Sequence, residues 1–346
     1  MKTKSLCLLG ALCAANSIAA IAIYNRVFSR YERQALQRDP LVWAFRPILE
    51  RLPRRIFHFK SKGKRLVGYH YPASGECGTV IFSHGMHSGA DDYLPIYAHL
   101  VERGYSVVAY DGTGTYGSEG ESTVGTCQAA EDLCAIVEHM LRVSRPIGPL
   151  YLMGHSLGAY AAAIAASRFP EVRGCACVSG MDLASALIMQ KAREYAGIAA
   201  ELNRPLISLY QQHLFGSLVH TSAVSAINGV SIPVLIAHGE CDSVINEASG
   251  SLMSRRHKIV NPLVGYYLGR GSQGTHSGIL FSDRANSYRD ELFSFIRQNA
   301  ALGRERLCRE LERRLSLDES RVCCEVNSEL MERVEAAFSG NFGINN

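Results

Sequence analysis

The sequence predicts an α/β fold with a mostly parallel sheet. From Ile56 onward, short runs rich in β-branched and aromatic residues alternate with longer helical patterns, which is typical of parallel strands joined by crossover helices. The later runs are short and nearly all apolar, as expected of strands covered on both faces. The first two strands are predicted to form an antiparallel hairpin that turns at residues 61–64. The predicted strands are 56–60, 65–71, 79–83, 105–110, 149–153, 174–179, 233–238 and 263–268, and the predicted helices are 91–103, 126–143, 157–168 and 283–299.

The composition is that of a folded protein. Of 346 residues, 47% are apolar and 20% are charged, and this length fits one large α/β domain with additions. The formal charge of +4 is mild and the basic residues are scattered, so nucleic acid is not expected as a partner. None of the eleven cysteines is paired at the spacing of zinc or redox sites, so no metal site is predicted. Cys175 and Cys177 are interpreted as small core side chains.

The amino-terminal segment, residues 1–30, contains a long apolar stretch. Ser5–Tyr24 carries no charge and only one strongly polar side chain, Asn16, and about 20 such residues can cross a bilayer as a helix. We therefore predict a single-pass membrane anchor. Positive charge is heavier after the stretch than before it, which favours a cytoplasmic location for the rest of the chain. A cleaved signal peptide is the competing interpretation, because small residues occur near Ala20.

The remaining chain divides by pattern. Residues 182–231 interrupt the alternation with amphipathic helical sequence and no convincing strand. An insertion at this point lies above the carboxyl ends of the sheet, so we predict a lid over a ligand pocket. Leu307, Leu311 and Leu315 have helical spacing among charges, which predicts a surface helix. The predicted segments are a connector (31–55), an α/β core (56–181 and 232–300), the lid (182–231) and a helical tail (301–346).

The pattern Gly154-His155-Ser156-Leu157-Gly158 follows an apolar strand and opens an alanine-rich helix. A serine at the tip of so sharp a turn leaves no room for a Cβ two residues away on either side, which explains both glycines. The helix directs its first N–H groups toward the place where an oxyanion would develop. The five-residue pattern alone is not specific, but its position between strand and helix makes Ser156 the predicted nucleophile.

The loop after the third strand, Ser83 to Gly89, is the predicted oxyanion loop. A tetrahedral intermediate needs two N–H donors, and these are assigned to the backbones of Met86 and Leu157. An ordinary strand-to-helix turn is the alternative interpretation. His87 and Tyr116 are predicted to contact the substrate.

The acid and the base are predicted in turns that follow later strands. Asp242 follows the seventh strand and can orient an imidazole, with Glu240 as the reserve choice. His276 lies in a glycine-flanked loop after the last strand, which allows close approach to Ser156. His257 is the other loop histidine in the correct order, but its basic surroundings indicate a solvated position. The order is therefore Ser, Asp, His along the chain.

With these residues the chain resembles the α/β-hydrolase superfamily, and most closely its serine aminopeptidase and monoacylglycerol lipase-like branch. The resemblance covers roughly 56–299 and rests on SHGMHSG, YDGTGTYGSEG, GHSLG, HGECD and GTH. It implies an eight-stranded sheet flanked by helices, a helical lid and no cofactor. One departure concerns the loop Asp111–Ser118, where Thr113 stands in place of the arginine that the family commonly carries, with one extra residue.

The resemblance also implies hydrolysis of esters or, less often, amides. We expect acyl transfer from a lipophilic carboxylic ester through an acyl-enzyme. A serine peptidase or amidase with the same triad is one alternative, and a catalytically silent, membrane-bound binding module is another. Oligomeric state does not follow from the sequence.

Overall fold

The computed structural model describes residues 16–32, 40–75, 77–144, 148–247, 250–314 and 321–341. Its strands, in chain order, are β1 (Arg55–Ser61), β2 (Lys64–Tyr71), β3 (Gly78–Ser83), β4 (Tyr105–Tyr110), β5 (Leu150–His155), β6 (Val172–Val178), β7 (Val234–Gly239) and β8 (Val264–Gly269). They form one sheet in the order β1-β2-β4-β3-β5-β6-β7-β8. β2 is antiparallel to both its neighbours, and all other neighbouring pairs are parallel. The predicted mostly parallel, eight-stranded sheet and all eight strands are confirmed.

Local sequence explains these strands. β3, β5 and β7 are buried along their whole length, as their apolar runs predict for strands covered on both faces. The β1–β2 hairpin closes between Ser61 and Lys64. Lys62 and Gly63 both have positive φ, 45° and 81°, which matches the twist of a two-residue hairpin turn. The predicted hairpin is therefore confirmed.

Helices cover both faces of the sheet. One face packs on α4, α5 and α8, and the other on α2, α3 and α11. Ser282 caps the start of α9 by accepting the N–H of Ala285. The helices are α1 (16–27), α2 (Pro40–Arg51), α3 (Leu94–Glu102), α4 (Gln128–His139), α5 (Leu157–Arg168), α6 (Ala184–Ala196), α7 (Ala199–Phe215), α8 (Ala223–Asn228), α9 (Asp283–Gln298), α10 (Arg304–Arg314) and α11 (Ser328–Ser339).

The carboxyl-terminal segment contributes more to the core than a surface helix would. α10 contains the predicted leucine spacing, but Leu311 is buried and Leu315 lies outside the described residues. α11, which the sequence analysis did not predict, packs on the sheet through a buried face that includes Phe338. The Phe338 ring stacks on Tyr151 of β5 at 4.6 Å between centroids. Part of the predicted tail therefore belongs to the α/β core.

The prediction of a membrane anchor at Ser5–Tyr24 is wrong. In the ranges that the structure describes, no helix has both the length and the apolar character needed to cross a bilayer. Residues 5–15 of the stretch lie outside those ranges, and the rest belongs to α1. Tyr24 and Phe28 are only 5% and 3% exposed and pack against Ile188, Met189 and Ile207. Of the described side chains in the stretch, Tyr24 is thus buried against protein, whereas Ile18 and Ile23 are 70% and 49% exposed.

The insertion between β6 and β7 is helical in the structure. α6 and α7 pack on each other and on α1, while α8 returns to the sheet and packs on α5. Asn16 and Asn203 join α1 to α7 through a 2.8 Å hydrogen bond. The Thr126 hydroxyl donates to the carbonyl of Ala184 at 3.2 Å, which joins the loop before α4 to the first turn of α6.

Candidate active site

Ser156 lies at a strained turn between β5 and α5. Its φ of 57° is a conformation that side chains other than glycine rarely adopt, and such strain costs about 1–3 kcal/mol. A Cβ built on Gly154 would lie 2.0 Å from the Gly158 carbonyl oxygen, and one built on Gly158 would lie 2.0 Å from the Ser83 carbonyl oxygen. Both positions therefore require glycine: Gly154 because the turn itself is crowded, as predicted, and Gly158 because the end of β3 lies against it.

The loop after β3 lies directly against this turn. A Cβ on Gly85 would be 3.3 Å from the Ser156 Cβ. The Tyr93 hydroxyl accepts the Gly85 N–H at 3.1 Å and so fastens the loop to the start of α3. The turn and the loop that carry Leu157 and Met86 are thus adjacent. The assignment of their N–H groups as oxyanion donors stays a prediction.

Asp242 and His276 meet at the same edge of the sheet. The His276 Nδ1–H donates to Asp242 Oδ2 at 2.7 Å, which leaves Nε2 available as a base. The other carboxylate oxygen accepts the N–H groups of Val244 and Ile245 at 2.8 and 2.9 Å. Burial by itself would raise the pKa of Asp242, but the hydrogen bond and charge of His276, with the Ile245 N–H, hold it below its ordinary value. The carboxylate is therefore ionised at neutral pH.

His238, at the end of β7, is a second histidine on this carboxylate that the sequence analysis missed. Its Nε2 lies 2.8 Å from the Ile245 carbonyl oxygen and 3.3 Å from Asp242 Oδ2. Burial lowers the pKa of His238, so the ring is neutral and Nε2 carries the proton that the carbonyl accepts. His238 therefore braces the turn that carries Asp242. Its position four residues before the acid was the available signal.

The His276 loop is fastened beside the turn that carries Ser156. The carbonyl oxygen of His276 accepts hydrogen bonds from His155 Nε2 at 2.9 Å and from the Ser179 hydroxyl at 3.0 Å. The rings of His155 and His276 are 4.9 Å apart. Within the described residues no hydrogen bond joins the Ser156 hydroxyl to His276, and Ser156 is 7% exposed. The structure thus brings Asp242 and His276 into contact and holds the His276 loop next to Ser156.

His155 directly precedes Ser156 in the motif, and its role was not predicted from the sequence. Its Nδ1 accepts from the Tyr93 hydroxyl at 2.9 Å while Nε2 donates to the carbonyl oxygen of His276, so the ring joins the start of α3, the turn of Ser156 and the loop of His276. Burial lowers the pKa of His155 to about 3. The side chain therefore stays uncharged at neutral pH and serves to connect the three segments.

This burial makes the stability of the fold depend on pH. Between pH about 6.5 and 3, the unfolded chain binds a proton at residue 155 that the folded chain does not, so stability falls as pH falls through this window. By pH 5 the loss amounts to about 2 kcal/mol. Glutamine at this position keeps a donor and an acceptor but does not titrate. We therefore expect His155→Gln to lose about 2 kcal/mol less free energy of unfolding than the wild type between pH 7 and pH 5. Urea unfolding at pH 7 and pH 5 measures it, with exposed His257→Gln as control; equal pH dependence in wild type and His155→Gln would contradict the assignment.

The two predicted substrate contacts, His87 and Tyr116, both bind neighbouring segments of the chain. His87 Nε2 lies 3.2 Å from the Val27 carbonyl oxygen, and its ring is 5.6 Å from that of Tyr31. The Tyr116 hydroxyl donates to Asp92 at 2.8 Å, and its ring stacks on Tyr31. His87 and Tyr116 both line a cavity of about 200 Å³ that His155 and Ser277 border.

Thr113, the departure from the family pattern, is explained by a buried carboxylate. Its N–H and hydroxyl both donate to Asp132, at 2.7 and 2.9 Å. Ser61 and Gln128 donate to the same carboxylate at 2.6 and 2.8 Å. Burial raises the pKa of Asp132 above its ordinary value, although all these donors oppose the rise. Thr113 thus anchors the loop beside the site to α4.

In the described ranges no cluster of three metal-ligating side chains that could hold a metal ion occurs.

Comparison with known proteins agrees with this architecture. The family model for serine aminopeptidases (S33) matches residues 75–228. A sequence search of curated proteins gives no significant match. Among solved structures, the Pyrococcus furiosus esterase Pf2001 is 18% identical, with 73% of this chain and 93% of that chain covered and a TM-score of 0.54. The α/β-hydrolase GrgF from Penicillium sp. sh18 is 17% identical, with 72% and 100% covered and a TM-score of 0.50.

Structures at these identities show only that the fold is shared. The family model adds a match in sequence, and the matched region contains the loop before α3, the turn of Ser156 and most of the helical insertion. Both agree with the motifs around Gly85 and Ser156. The resemblance to the α/β-hydrolase superfamily is thus confirmed, and this chain has the α/β-hydrolase fold.

Proposed function

We propose that this protein is a serine hydrolase that cleaves a lipophilic carboxylic ester through Ser156, His276 and Asp242. His276 Nε2 takes the proton of the Ser156 hydroxyl as its oxygen attacks the carbonyl, and the backbone N–H groups of Met86 and Leu157 bind the oxyanion. The alcohol leaves with the proton from His276. Water then attacks the acyl-enzyme, His276 takes the proton of the water, and the acid departs as Ser156 regains its proton. Asp242 stabilises the imidazolium in both steps.

One observation carries this proposal: the ionised Asp242 holds the Nδ1–H of His276 at 2.7 Å, on a loop that His155 ties to the turn of Ser156. A carboxylate in this position selects the imidazole tautomer whose Nε2 is free to accept a proton. Hydrogen bonds between nucleophile and base are often long without substrate, and they tighten when substrate binds. The contact between His276 and Ser156 is therefore proposed for the complex with substrate.

The helices of the insertion between β6 and β7 are proposed to cover the site and to bind the lipophilic part of the substrate. α6 and α7 form a lid over the site, and His87 and Tyr116 contact the substrate at its mouth. Leu187 and Ile188 of the lid are buried and apolar, which favours a lipophilic group beneath them. An ester with an apolar acyl chain would bury that chain against these side chains.

A serine peptidase or amidase with the same triad is the second candidate, and the match to the serine aminopeptidase family model favours it. Both candidates require an activated Ser156, and they differ in the leaving group. A scan of p-nitrophenyl esters of increasing chain length against aminoacyl p-nitroanilides distinguishes them. Faster turnover of the anilides than of every ester would replace the ester proposal by the amide one.

Labelling with a fluorophosphonate probe tests whether the site is active at all. We expect one covalent adduct on the wild-type chain, mapped by peptide mass spectrometry to the peptide that contains Ser156. Ser167, an exposed serine about three helix turns further along α5, is the internal control and should stay unlabelled. A folded chain that does not react would indicate a silent binding module.

A further inference from the structure

An apolar cavity lies between α1 and the helices of the insertion. It encloses about 50 Å³, and α1 with the residue after it supplies one wall through Ala20, Ile23, Tyr24, Val27 and Phe28. The opposite wall comes from Leu187, Ile188 and Ala192 of α6 and Ile207 of α7. A segment whose hydrophobicity suggested a membrane span therefore forms half of an internal pocket.

The cavity reaches the predicted oxyanion loop. Met86 lines it and packs against both the main core cluster and the cluster that contains Tyr24 and Ile188. Met86 and Phe28 also line a neighbouring cavity that Leu157, the residue after the nucleophile, borders. Met86 and Phe28 thus separate the apolar cavity from a second, more polar one that reaches Leu157.

Two polar side chains at the cavity have partners elsewhere, whereas the buried Tyr24 hydroxyl has no hydrogen-bond partner among the described residues. The Thr126 hydroxyl donates to the Ala184 carbonyl at 3.2 Å, and the Lys191 ammonium pairs with Glu194 at 2.7 Å. The Tyr24 hydroxyl is buried and lies against Gly125, where a Cβ would come within 2.3 Å of it. The remaining lining is hydrocarbon or aromatic. Such a lining suits an aliphatic chain and offers little to a sugar or a charged peptide side chain.

Hydrogen bonds hold the wall in place. The Thr123 N–H donates to the Phe28 carbonyl at 2.8 Å, and Tyr31 exchanges backbone hydrogen bonds with Gly114 and Tyr116 at 2.8 and 2.9 Å. The Arg30 guanidinium donates to the carbonyl oxygens of residues 116, 118 and 120 at 2.6–2.8 Å. A wall held so firmly sets a limit on the length of a chain that fits beneath it.

We propose that this cavity receives the aliphatic acyl chain of the substrate, and that α1 is the wall that limits its length. The inference rests on the proposed ester hydrolysis and adds a substrate class and a role for the amino-terminal helix. The acyl carbonyl lies at Ser156 with its oxygen toward the N–H groups of Met86 and Leu157, and the chain runs past Met86 into the cavity. The alcohol part of the ester lies outside it.

Substitutions on the two walls test the inference. We expect Ala20→Phe and, independently, Ala192→Phe to shorten the preferred chain in a series of p-nitrophenyl esters from acetate to decanoate. The ratio of kcat/KM for the octanoate to that for the acetate should fall at least about tenfold, since each methylene excluded from an apolar pocket weakens binding severalfold. Ile18→Phe, on the same helix but 70% exposed and outside the cavity, is the matched control and should keep the wild-type ratio.

The outcomes separate this inference from the proposed function. If Ser156-dependent hydrolysis is present but both wall variants keep the wild-type chain-length profile, the cavity does not hold the acyl chain. If the wall variants instead change the profile of alkyl acetates, in which only the alcohol grows, the acyl assignment is also wrong. Failure of the proposed function appears separately, as acetate hydrolysis that does not depend on Ser156. Should the bulky variants not fold, Ile207→Ala enlarges the cavity and should move the preference to longer chains, whereas an unchanged preference overturns the proposal.

Discussion

Ser156→Ala is expected to lower kcat for ester hydrolysis by about 10⁶-fold, because the nucleophile and its base act as one unit and loss of either removes most of the rate enhancement. The turn itself should persist, since Gly154, Gly158 and the backbone of residue 156 are unchanged. Hydrolysis of a p-nitrophenyl ester by the purified variant measures the effect, and fluorophosphonate labelling should disappear with it. Ser167→Ala on the same helix is the matched control and should retain wild-type activity.

A comparison of Ser156→Ala with Ser156→Gly tests whether the lost activity reflects unfolding. Glycine adopts a φ of 57° without the strain that any other side chain meets there. We therefore expect Ser156→Gly to be as inactive as Ser156→Ala and more stable than it by about 1 kcal/mol. Thermal unfolding followed by circular dichroism gives the difference. Substantial hydrolysis by both variants would mean that the nucleophile is elsewhere.

Asp242→Asn is expected to lower kcat by about 10⁴-fold with little change in fold. The asparagine side chain is nearly the same size, but it lacks the negative charge that stabilises the His276 imidazolium and can hold the wrong tautomer. The two backbone N–H groups from Val244 and Ile245 retain an oxygen acceptor, which preserves the turn. Initial rates across pH 6–9 measure the loss and show whether alkaline conditions recover part of it.

Glu240→Gln is the matched control for the acid. Glu240 lies two residues earlier in the same turn, is partly exposed, and accepts the Gly271 N–H at 3.3 Å. Its substitution should change kcat by no more than about twofold, as is usual for exposed polar groups away from the reacting atoms. A large loss in Glu240→Gln together with near-normal activity in Asp242→Asn would reverse the assignment of the acid.

The strands and the nucleophile turn were accessible from sequence because their signals are local. Runs such as β3 and β7 are buried on both faces and so carry few polar residues, and a Cβ on Gly154 would clash with Gly158 inside the five-residue motif. The contact of Asp242 with His276 could be predicted in outline, since the carboxyl ends of neighbouring parallel strands share one edge of the sheet.

The roles of His155 and His238 could not be derived in the same way. Each is one of several histidines near a motif, and its partners lie on other loops: Tyr93 and the carbonyl of His276 for the first, and the carbonyl of Ile245 with Asp242 for the second. Such contacts depend on how loops pack after the sheet has formed. No local pattern indicates those of His155, and the local signal for His238 was its position four residues before Asp242.

The sequence by itself determined the alternation of strands and helices and the order of Ser156, Asp242 and His276, because these depend on periodicity, turn chemistry and chain order. Only the tertiary structure decided what the apolar segments contact. Hydrophobicity favours leaving water but does not determine the partner, so Tyr24, in the apolar stretch that suggested a membrane span, packs instead against side chains of α6 and α7. For the same reason α11, with its mixed composition, proved to be part of the core.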